Sequence, residues 1–281
     1  MDTKKVWFVT GASKGLGLAL VKKLLSKGYK VAATSRNLNV LREAVGTLSA
    51  DFLPLQMDLL NEDSVSDSIS KAIEMFGKLD VVVNNAGYGQ AGTLEELTDK
   101  ESRQNFDVNV FGVLNVIRRV MPYLRAQKSG HIFNISSVGG FIGSFPSFGI
   151  YCATKYALVG LTEALMAEVK PFGISATVVY PGYFRTNFLE EDSFSLPNNP
   201  MADYTEAREL ENMHINQISG NQAGDPDKAA DVLIEVAGQT NPALHLFLGK
   251  DAYDMAKNKI EVIQSALEEN KVLATSTDFT E

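Results

Sequence analysis

Short apolar segments alternate with amphipathic segments along most of the chain, and this alternation limits the possible fold more than any other feature. The first apolar run, residues 6–10, ends in glycines, and in residues 16–27 leucines recur at helical spacing until Gly28. Strands that alternate with helices favour a parallel sheet covered by helices on both faces. The almost wholly apolar runs at residues 81–83 and 176–179 fit strands buried on both sides. The pattern predicts an α/β doubly wound fold.

The same rhythm continues to the C-terminal part of the chain. Strands are predicted at residues 6–10, 30–35, 52–57, 79–83, 131–135, 174–180 and 244–248. Helices are predicted at residues 16–27, 38–48, 64–75, 100–126, 150–169 and 252–267. Pro54 places the third strand at a sheet edge, because proline cannot donate to the strand ladder. Pro122 is expected to bend or end the long helix.

One long stretch, from Phe184 to about Gly224, interrupts the alternation and contains two prolines. An irregular insertion of this length in a compact domain is typical of a functional lid. The polar tail from Val272 is expected to be loosely held. We therefore predict a single domain over residues 1–281, with a substrate-binding lid at about 184–224 and a loosely ordered tail at 272–281.

Composition excludes several classes of function. The net charge is −8 with a pI near 5.1 and no basic block, which argues against nucleic acid as a partner. Cys152 is the single cysteine, so no intramolecular disulfide can form, and we interpret it as a packing residue. His131, His214 and His245 show no ligand spacing, so no metal site is predicted. No apolar run reaches the length of a membrane span, and we expect a cytoplasmic protein.

Residues 10–17, Thr-Gly-Ala-Ser-Lys-Gly-Leu-Gly, follow the first strand and open the first helix. Glycines allow a sharp turn and a close approach to a ligand, and the helix N-terminus offers N–H groups to a phosphate. The spacing is GxxxGxG, which is neither the GxGxxG of other dinucleotide binders nor a P-loop. A dinucleotide site is favoured over the alternative, a tight connecting turn.

The end of the second strand indicates which dinucleotide would bind. Residues 34–37, Thr-Ser-Arg-Asn, contain no acid that could bind a ribose 2′-hydroxyl. Arg36 is suited to a 2′-phosphate, and Lys14 adds a second positive charge. NADP(H) is therefore predicted over NAD(H), the alternative being that both side chains only solvate the surface.

Three further polar segments are predicted at the carboxyl edge of the same sheet. They are Asn84-Asn85-Ala86-Gly87, Asn134-Ile135-Ser136-Ser137, and Pro181-Gly182 with Thr186 shortly after. Tyr151 and Lys155 lie four residues apart on a predicted helix, which stacks them on one face. An ammonium near a phenol lowers the pKa of the phenol, and this suits tyrosine to proton transfer.

Together with Asn109, these motifs occur in an order that resembles the short-chain dehydrogenase/reductase family, strongly from Val6 to about Thr186 and weakly beyond. The resemblance implies a seven-stranded Rossmann sheet of order 3-2-1-4-5-6-7. It also implies catalytic roles. Tyr151 is the general acid/base, and Lys155 lowers its pKa and holds the nicotinamide ribose. Ser137 binds the substrate carbonyl, and Asn109 holds a water in a proton relay.

The resemblance implies a cofactor site as well, in which Asp58 meets the adenine amino group and Thr186 the carboxamide. Its members would be Gly11, Ser13, Lys14, Gly15, Leu16, Gly17, Arg36, Asp58, Leu59, Asn85, Ala86, Gly87, Tyr151, Lys155, Pro181, Gly182 and Thr186. In many relatives the serine lies thirteen residues before the tyrosine, whereas Ser137 lies fourteen before Tyr151. Ser136, Ser144 and Ser147 are therefore alternatives to Ser137.

The function favoured is hydride transfer between NADP(H) and a ketone or secondary alcohol, and the C-terminal segment resembles the 17β-hydroxysteroid-dehydrogenase-like branch. The alternatives are an NADP(H)-binding sensor, or an epimerase or dehydratase on the same scaffold. Aromatic residues in the predicted loops form either an apolar substrate pocket or loop packing: Phe141, Phe145, Phe148, Tyr183, Phe184, Phe188 and Phe194. Members of the family usually associate through the helices that correspond to residues 100–122 and 150–169, so the resemblance implies a homo-oligomer, a dimer or a tetramer.

Overall fold

The computed structural model describes residues 4–47, 49–190 and 193–279, and its main sheet has seven parallel strands. They are β1 (Val6–Val9), β2 (Lys30–Ser35), β3 (Phe52–Gln56), β4 (Val81–Asn84), β5 (Gly130–Ile135), β6 (Ile174–Pro181) and β7 (His245–Leu248). Their order is β3-β2-β1-β4-β5-β6-β7. This confirms the predicted doubly wound Rossmann sheet, including the edge position of the strand that contains Pro54.

Nine α-helices are present in the described part of the chain. They are α1 (Gly15–Ser26), α2 (Leu38–Val45), α3 (Glu62–Phe76), α4 (Asp99–Phe106), α5 (Gly112–Gln127), α6 (Gly149–Val169), α7 (Thr205–Met213), α8 (Pro226–Gly238) and α9 (Lys250–Thr275). None of the helices described is both long enough and apolar enough to cross a membrane.

Three helix boundaries differ from the sequence predictions. A wider π-type turn, Asp107–Phe111, joins α4 to α5, and Pro122 lies inside α5 instead of ending the helix. Helix α2 stops at Val45 because Gly46 adopts a left-handed conformation (φ +69°); its predicted end at residue 48 lies outside the described residues. Helix α9 runs to Thr275 instead of residue 267, while the loosely held tail remains a prediction.

Strand β1 shows why the sheet residues are so uniformly apolar. Val6 and Phe8 point to one face, where they join a core built with α3, α5 and α6. Trp7 and Val9 point to the other face, where the core is completed by α1, α2 and α8. Because side chains alternate along a strand, a strand covered on both faces must be apolar at every position.

The predicted lid segment, residues 184–224, is tied to the body by polar contacts. Its two-residue strand Phe194–Ser195 pairs with Gly89–Gln90. The buried carboxylate of Glu96 accepts hydrogen bonds from the backbone N–H of Met201 (2.6 Å) and from Arg208 (2.7 Å). These contacts fix where the segment meets the sheet, and its action as a lid remains a prediction.

The two-sided core leads to a stability prediction. Leu24 in α1 is fully buried in the core, so Leu24→Ala should lower the free energy of unfolding by about 2–5 kcal/mol. Leu267 in α9 is 67% exposed, so Leu267→Ala should change it by no more than about 0.5 kcal/mol. Urea unfolding followed by circular dichroism measures both. Equal losses for the two variants would contradict the assigned core.

Candidate active site

An open cleft of about 1230 Å³ runs along the carboxyl edge of the sheet. Most of the predicted site residues line it: Gly11, Ser13, Lys14, Gly15, Leu16, Arg36, Asp58, Leu59, Asn85, Ala86, Gly87, Ser137, Tyr151, Lys155, Pro181, Gly182 and Thr186. Gly17 and Asn109 are not among the lining residues and lie behind the wall. Segments from six strand ends thus meet at one site, as parallel strands require.

The glycine-rich turn and the loop after β4 form a single hydrogen-bonded unit. The Asn85 side chain donates from Nδ2 to the carbonyls of Thr10 (2.9 Å) and Gly11 (3.0 Å). In return, Thr10 Oγ1 accepts from the backbone N–H of Asn85 (3.0 Å) and Ala86 (3.1 Å). The sequence analysis missed this role of Thr10, although a buried hydroxyl at a strand end needs such partners.

Two glycines of the turn are required for different reasons. Gly11 has φ +64°, and a Cβ there would lie 2.7 Å from Ala86 Cα. A Cβ at Gly17 would lie 2.5 Å from Asn85 Nδ2 and 2.7 Å from the carbonyl oxygen of Gly11. Gly17 therefore allows α1 to pack against the turn and does not itself face the cleft.

The start of α1 is suited to a phosphate group. Helices α2, α3 and α8 each begin with an Asn or Asp whose side chain accepts from two backbone N–H groups. At α1 the capping position is Lys14, whose side chain makes no such bond, and no acid lies in the first turn. The backbone N–H groups and the positive end of the helix dipole thus face the cleft.

The far end of the cleft carries Arg36, Asp58 and Leu59. The carboxylate of Asp58 accepts a hydrogen bond from the backbone N–H of Leu60 (3.0 Å), and the backbone N–H of Asp58 donates to Ser64 Oγ (3.1 Å). The Leu59 carbonyl accepts from Asn115 Nδ2 (2.7 Å). These contacts fix the loop after β3 in the wall of the cleft that Arg36 also lines.

Tyr151 and Ser137 meet in the middle of the cleft. Burial raises the pKa of the Tyr151 phenol well above its ordinary value of 10.0, and the Ser137 hydroxyl acts in the opposite direction but more weakly. Ser137 Oγ also accepts from the backbone N–H of Gly139 (3.1 Å). The phenol is therefore protonated in this state of the protein, as a proton donor must be.

Lys155 lies on the same helix face as Tyr151, with Nζ 5.7 Å from the phenol ring centre. Its Nζ donates to the carbonyl oxygen of Ile135 (3.0 Å), and burial lowers its pKa to about 8. The expectation that the ammonium lowers the pKa of Tyr151 is not met here, because burial of the phenol outweighs every other influence on it.

Asn109 lies in the π-type turn between α4 and α5 and is fully buried. Its Nδ2 donates to the Tyr88 carbonyl (3.0 Å) and to Thr154 Oγ1 (3.1 Å), and its Oδ1 accepts from the Tyr88 N–H (3.0 Å). The side chain therefore positions the loop after β4 against helix α6. Its predicted role in holding a water stays a prediction.

The geometry separates Ser137 from the three alternative serines. Ser136 is buried and donates to the Lys155 carbonyl (2.9 Å). Ser147 is buried against the N–H of Gly92 and the carboxylate of Glu211, and Ser144 is exposed; neither lines the cleft. Of the four, Ser136 and Ser137 line the cleft, but the Ser136 hydroxyl is bonded to the Lys155 carbonyl, whereas the Ser137 hydroxyl lowers the pKa of the Tyr151 phenol.

Most of the predicted aromatic residues line the cleft beside Tyr151: Phe145, Phe148, Tyr183, Phe184, Phe188 and Phe194. Phe141 does not, because its ring packs against Tyr180 and Phe247 on β6 and β7, with ring centres 6.0 and 5.3 Å away. Cys152 is 3% exposed, and burial raises the pKa of its thiol to about 11, which suits a packing residue.

Sequence reasoning missed the polar groups that the lid segment brings to the cleft. His214 and Gln222 both line it, and the Tyr183 hydroxyl lies 2.9 Å from His214 Nε2. Their positions depend on how residues 184–224 fold back, so no spacing in the chain indicates them. Over the described ranges, no three His, Cys, Asp or Glu side chains are grouped to hold a metal ion.

Comparisons with known proteins agree with this geometry. The family model for short chain dehydrogenases matches residues 5–194. The chain is 34% identical to the oxidoreductase BOA17 of Botryotinia fuckeliana over 279 residues, covering 97% of this chain and 99% of that protein. It is 34% identical to a 3-ketodihydrosphingosine reductase of Bacteroides thetaiotaomicron over 245 residues, covering 87% and 88%.

Solved structures lead to the same family. A crystal structure of a short-chain dehydrogenase from Streptomyces avermitilis superposes with a TM-score of 0.87 at 34% identity, covering 98% of this chain and 100% of that one. The residues matched by the family model include the glycine-rich turn, Ser137, Tyr151 and Lys155. The chain belongs to the short-chain dehydrogenase/reductase family of oxidoreductases.

Proposed function

We propose that this protein transfers a hydride between NADP(H) and a carbonyl or secondary alcohol, and that it acts mainly in ketone reduction. The observation that carries the proposal is that Ser137, Tyr151 and Lys155 line one cleft together with the start of helix α1, where no side chain caps the helix. Bound NADPH would supply the hydride. The protein's own part is to position two hydroxyl groups where a carbonyl oxygen gains negative charge.

The proposed work of each residue follows from its contacts. Ser137 and Tyr151 hydrogen-bond the substrate oxygen, and Tyr151 donates its proton as that oxygen becomes an alkoxide. Lys155 would hold the ribose hydroxyls next to the phenol, because its Nζ has hydrogen atoms beyond the one donated to Ile135. The first turn of α1 would hold the pyrophosphate.

The choice of NADP(H) rests on Arg36 and Lys14, which line the cleft near the loop after β3. Solved relatives at 25% identity, each with a TM-score of 0.72, include a 3-ketoacyl-(acyl-carrier-protein) reductase of Brucella melitensis with NADH and ElxO with NADP. The family therefore uses both cofactors. A guanidinium in place of an acid at the 2′ position favours the phosphorylated one.

Ketone reduction is supported by the aromatic lining and by one relative. The curated relative from Bacteroides thetaiotaomicron is named as a reductase of a 3-keto compound.

A cytoplasmic homo-oligomer, dimer or tetramer, belongs to the same proposal. Phe111, beside α5, and Tyr156 on α6 are 52% and 41% exposed, which gives these helices apolar surface for a second copy.

Tyr151→Phe and Ser137→Ala should each lower kcat for ketone reduction by about 10²–10⁴-fold, because they remove the proton donor and its partner. NADPH affinity should change by less than about threefold for Ser137→Ala, since its hydroxyl serves the substrate. NADPH oxidation and NADPH fluorescence measure the two quantities. Ser144→Ala, outside the cleft, is the matched control. A loss of kcat in the control equal to that of Ser137→Ala would contradict the assignment.

Arg36→Ala should lower kcat/KM for NADPH by about 10–100-fold and leave NADH use nearly unchanged, because a charge-assisted bond to the 2′-phosphate is lost. Steady-state kinetics with both cofactors measure this selectivity. Arg42→Ala serves as the control, since Arg42 on α2 does not line the cleft. The NADP(H) proposal is wrong if the unmodified protein has a higher kcat/KM with NADH.

Lys155 should make stability depend on pH in a defined window. Its pKa is about 8 when folded against an ordinary 10.5, so the unfolded chain binds more protons between those values and stability rises with pH there. Compared with Lys155→Met, the free energy of unfolding should gain about 2 kcal/mol from pH 8 to 10. The raised pKa of Tyr151 makes stability fall with rising pH, but only above about pH 10, where the unfolded tyrosine ionises. Urea titrations at each pH measure the free energy of unfolding, and Lys257→Met, at an exposed position, is the control. A difference between the unmodified protein and Lys155→Met that does not change with pH would disprove the prediction.

A further inference from the structure

The cleft contains a second tyrosine hydroxyl that the proposed reaction does not use. Tyr183 directly follows Pro181 and Gly182 at the end of β6, and its oxygen lies 2.9 Å from Nε2 of His214 in the lid segment. Both residues line the cleft. Tyr151 lines the same cleft.

The contacts of His214 fix the direction of the hydrogen bond. Its Nδ1 lies 2.8 Å from the carbonyl oxygen of Leu210, which can only accept, so Nδ1 carries a proton. Burial lowers the pKa of His214 below its ordinary 6.5, so the ring is neutral at pH 7. Nε2 is therefore an acceptor, and the Tyr183 hydroxyl donates to it.

The single hydroxyl proton of Tyr183 is engaged in the hydrogen bond to His214. The phenol oxygen can therefore only accept a hydrogen bond from a ligand. The pair is held in place by packing. The ring centres of Tyr183 and His214 are 5.6 Å apart, and that of Phe148 is 4.8 Å from His214. Asp251 accepts from the Tyr183 backbone N–H (2.6 Å). The acceptor is thus pre-positioned on the cleft wall.

A second acceptor lies beside this pair. Gln222 lines the cleft and is 5% exposed, and its Oε1 is buried without a hydrogen-bond partner among the residues described. The backbone brings it next to Tyr183, because the Gly224 N–H donates to the Tyr183 carbonyl (2.9 Å). An amide oxygen buried and unpaired in a cleft is a position for a ligand donor.

We infer that Tyr183, held by His214, and Gln222 form a donor-binding wall, and that the substrate is a ketone with a hydroxyl or N–H group away from its reacting carbonyl. The rest of its frame is apolar or aromatic, to match Phe145, Phe188 and their neighbours. This inference rests on the proposed function for the position of the carbonyl. A ligand without the donor would bury both acceptors unpaired, which lowers affinity about 10–100-fold.

Ligand binding tests the wall without turnover. In the Tyr151→Phe protein with NADPH bound, calorimetry compares acetophenone with its 3- and 4-hydroxy and 3- and 4-methoxy derivatives. We expect the better hydroxy isomer to bind about tenfold tighter than acetophenone. Adding Tyr183→Phe should bring that ratio to within about twofold of one. If the affinity ratio of the hydroxy isomer to acetophenone is the same with and without Tyr183→Phe, the inference is overturned. Equal binding of all five ketones to the protein that retains Tyr183 also overturns it.

Two further variants separate recognition from mere support of the fold. In His214→Phe the Tyr183 hydroxyl has lost its acceptor and can donate a hydrogen bond to a ligand. The methoxy derivatives, which can only accept hydrogen bonds, should therefore gain affinity relative to the hydroxy derivatives. A purely structural role would weaken all five ketones equally and would overturn the inference. Tyr204→Phe removes another hydroxyl of the lid segment, one that bonds to Glu95 outside the cleft, and should leave the ratios unchanged.

Failure of the proposed function would look different. If no ketone oxidises NADPH with the unmodified protein while the hydroxy preference and its loss in Tyr183→Phe persist, the reaction is wrong and the wall stands. If ketones are reduced but the hydroxy compounds have no advantage in kcat/KM or in binding, the wall is wrong and the reaction stands.

Discussion

The parallel direction of all seven strands is the constraint on which the rest of the structure depends. It places every carboxyl end at one edge, so loops that are far apart in sequence meet there. The Thr10–Asn85 hydrogen bonds then join two of these loops into one rigid turn. Gly11 and Gly17 have no space for a side chain, so the two loops and the start of α1 pack closely and leave the backbone of this turn available to a phosphate.

Tyr151 and Lys155 lie at the centre of the site, and the burial of these polar groups determines their protonation. Burial of Lys155 lowers the pKa of its ammonium, and the partial burial of Tyr151 raises the pKa of its phenol and keeps it protonated. Asn109 uses its whole amide to hold the neighbouring loop and α6. The Tyr151 phenol, Ser137 and a buried cation are thereby fixed before any ligand enters, which is the pre-organisation that the proposed proton transfer requires.

The sequence was sufficient where local pattern and fold agree. The uniform apolarity of residues 6–9 predicts a strand covered on both faces, and the polar strand ends predict the cleft. It failed where long-range packing decides the outcome. The long predicted helix is interrupted by the π-type turn 107–111 and does not end at Pro122, and burial reverses the expected pKa shift of Tyr151. The partnership of Tyr183 with His214 joins residues 31 positions apart, through a segment with no regular period.

Isotope transfer tests the central claim, that a carbonyl is reduced in this cleft by hydride from a nicotinamide cofactor. The protein is incubated with NADPH deuterated at both C4 positions and with 4-hydroxyacetophenone, and the alcohol is analysed by mass spectrometry. The account predicts one deuterium on the carbinol carbon of each product molecule, and almost none when Tyr151→Phe replaces the unmodified protein. An alcohol product without deuterium, or with hydrogen derived from solvent on that carbon, would contradict it.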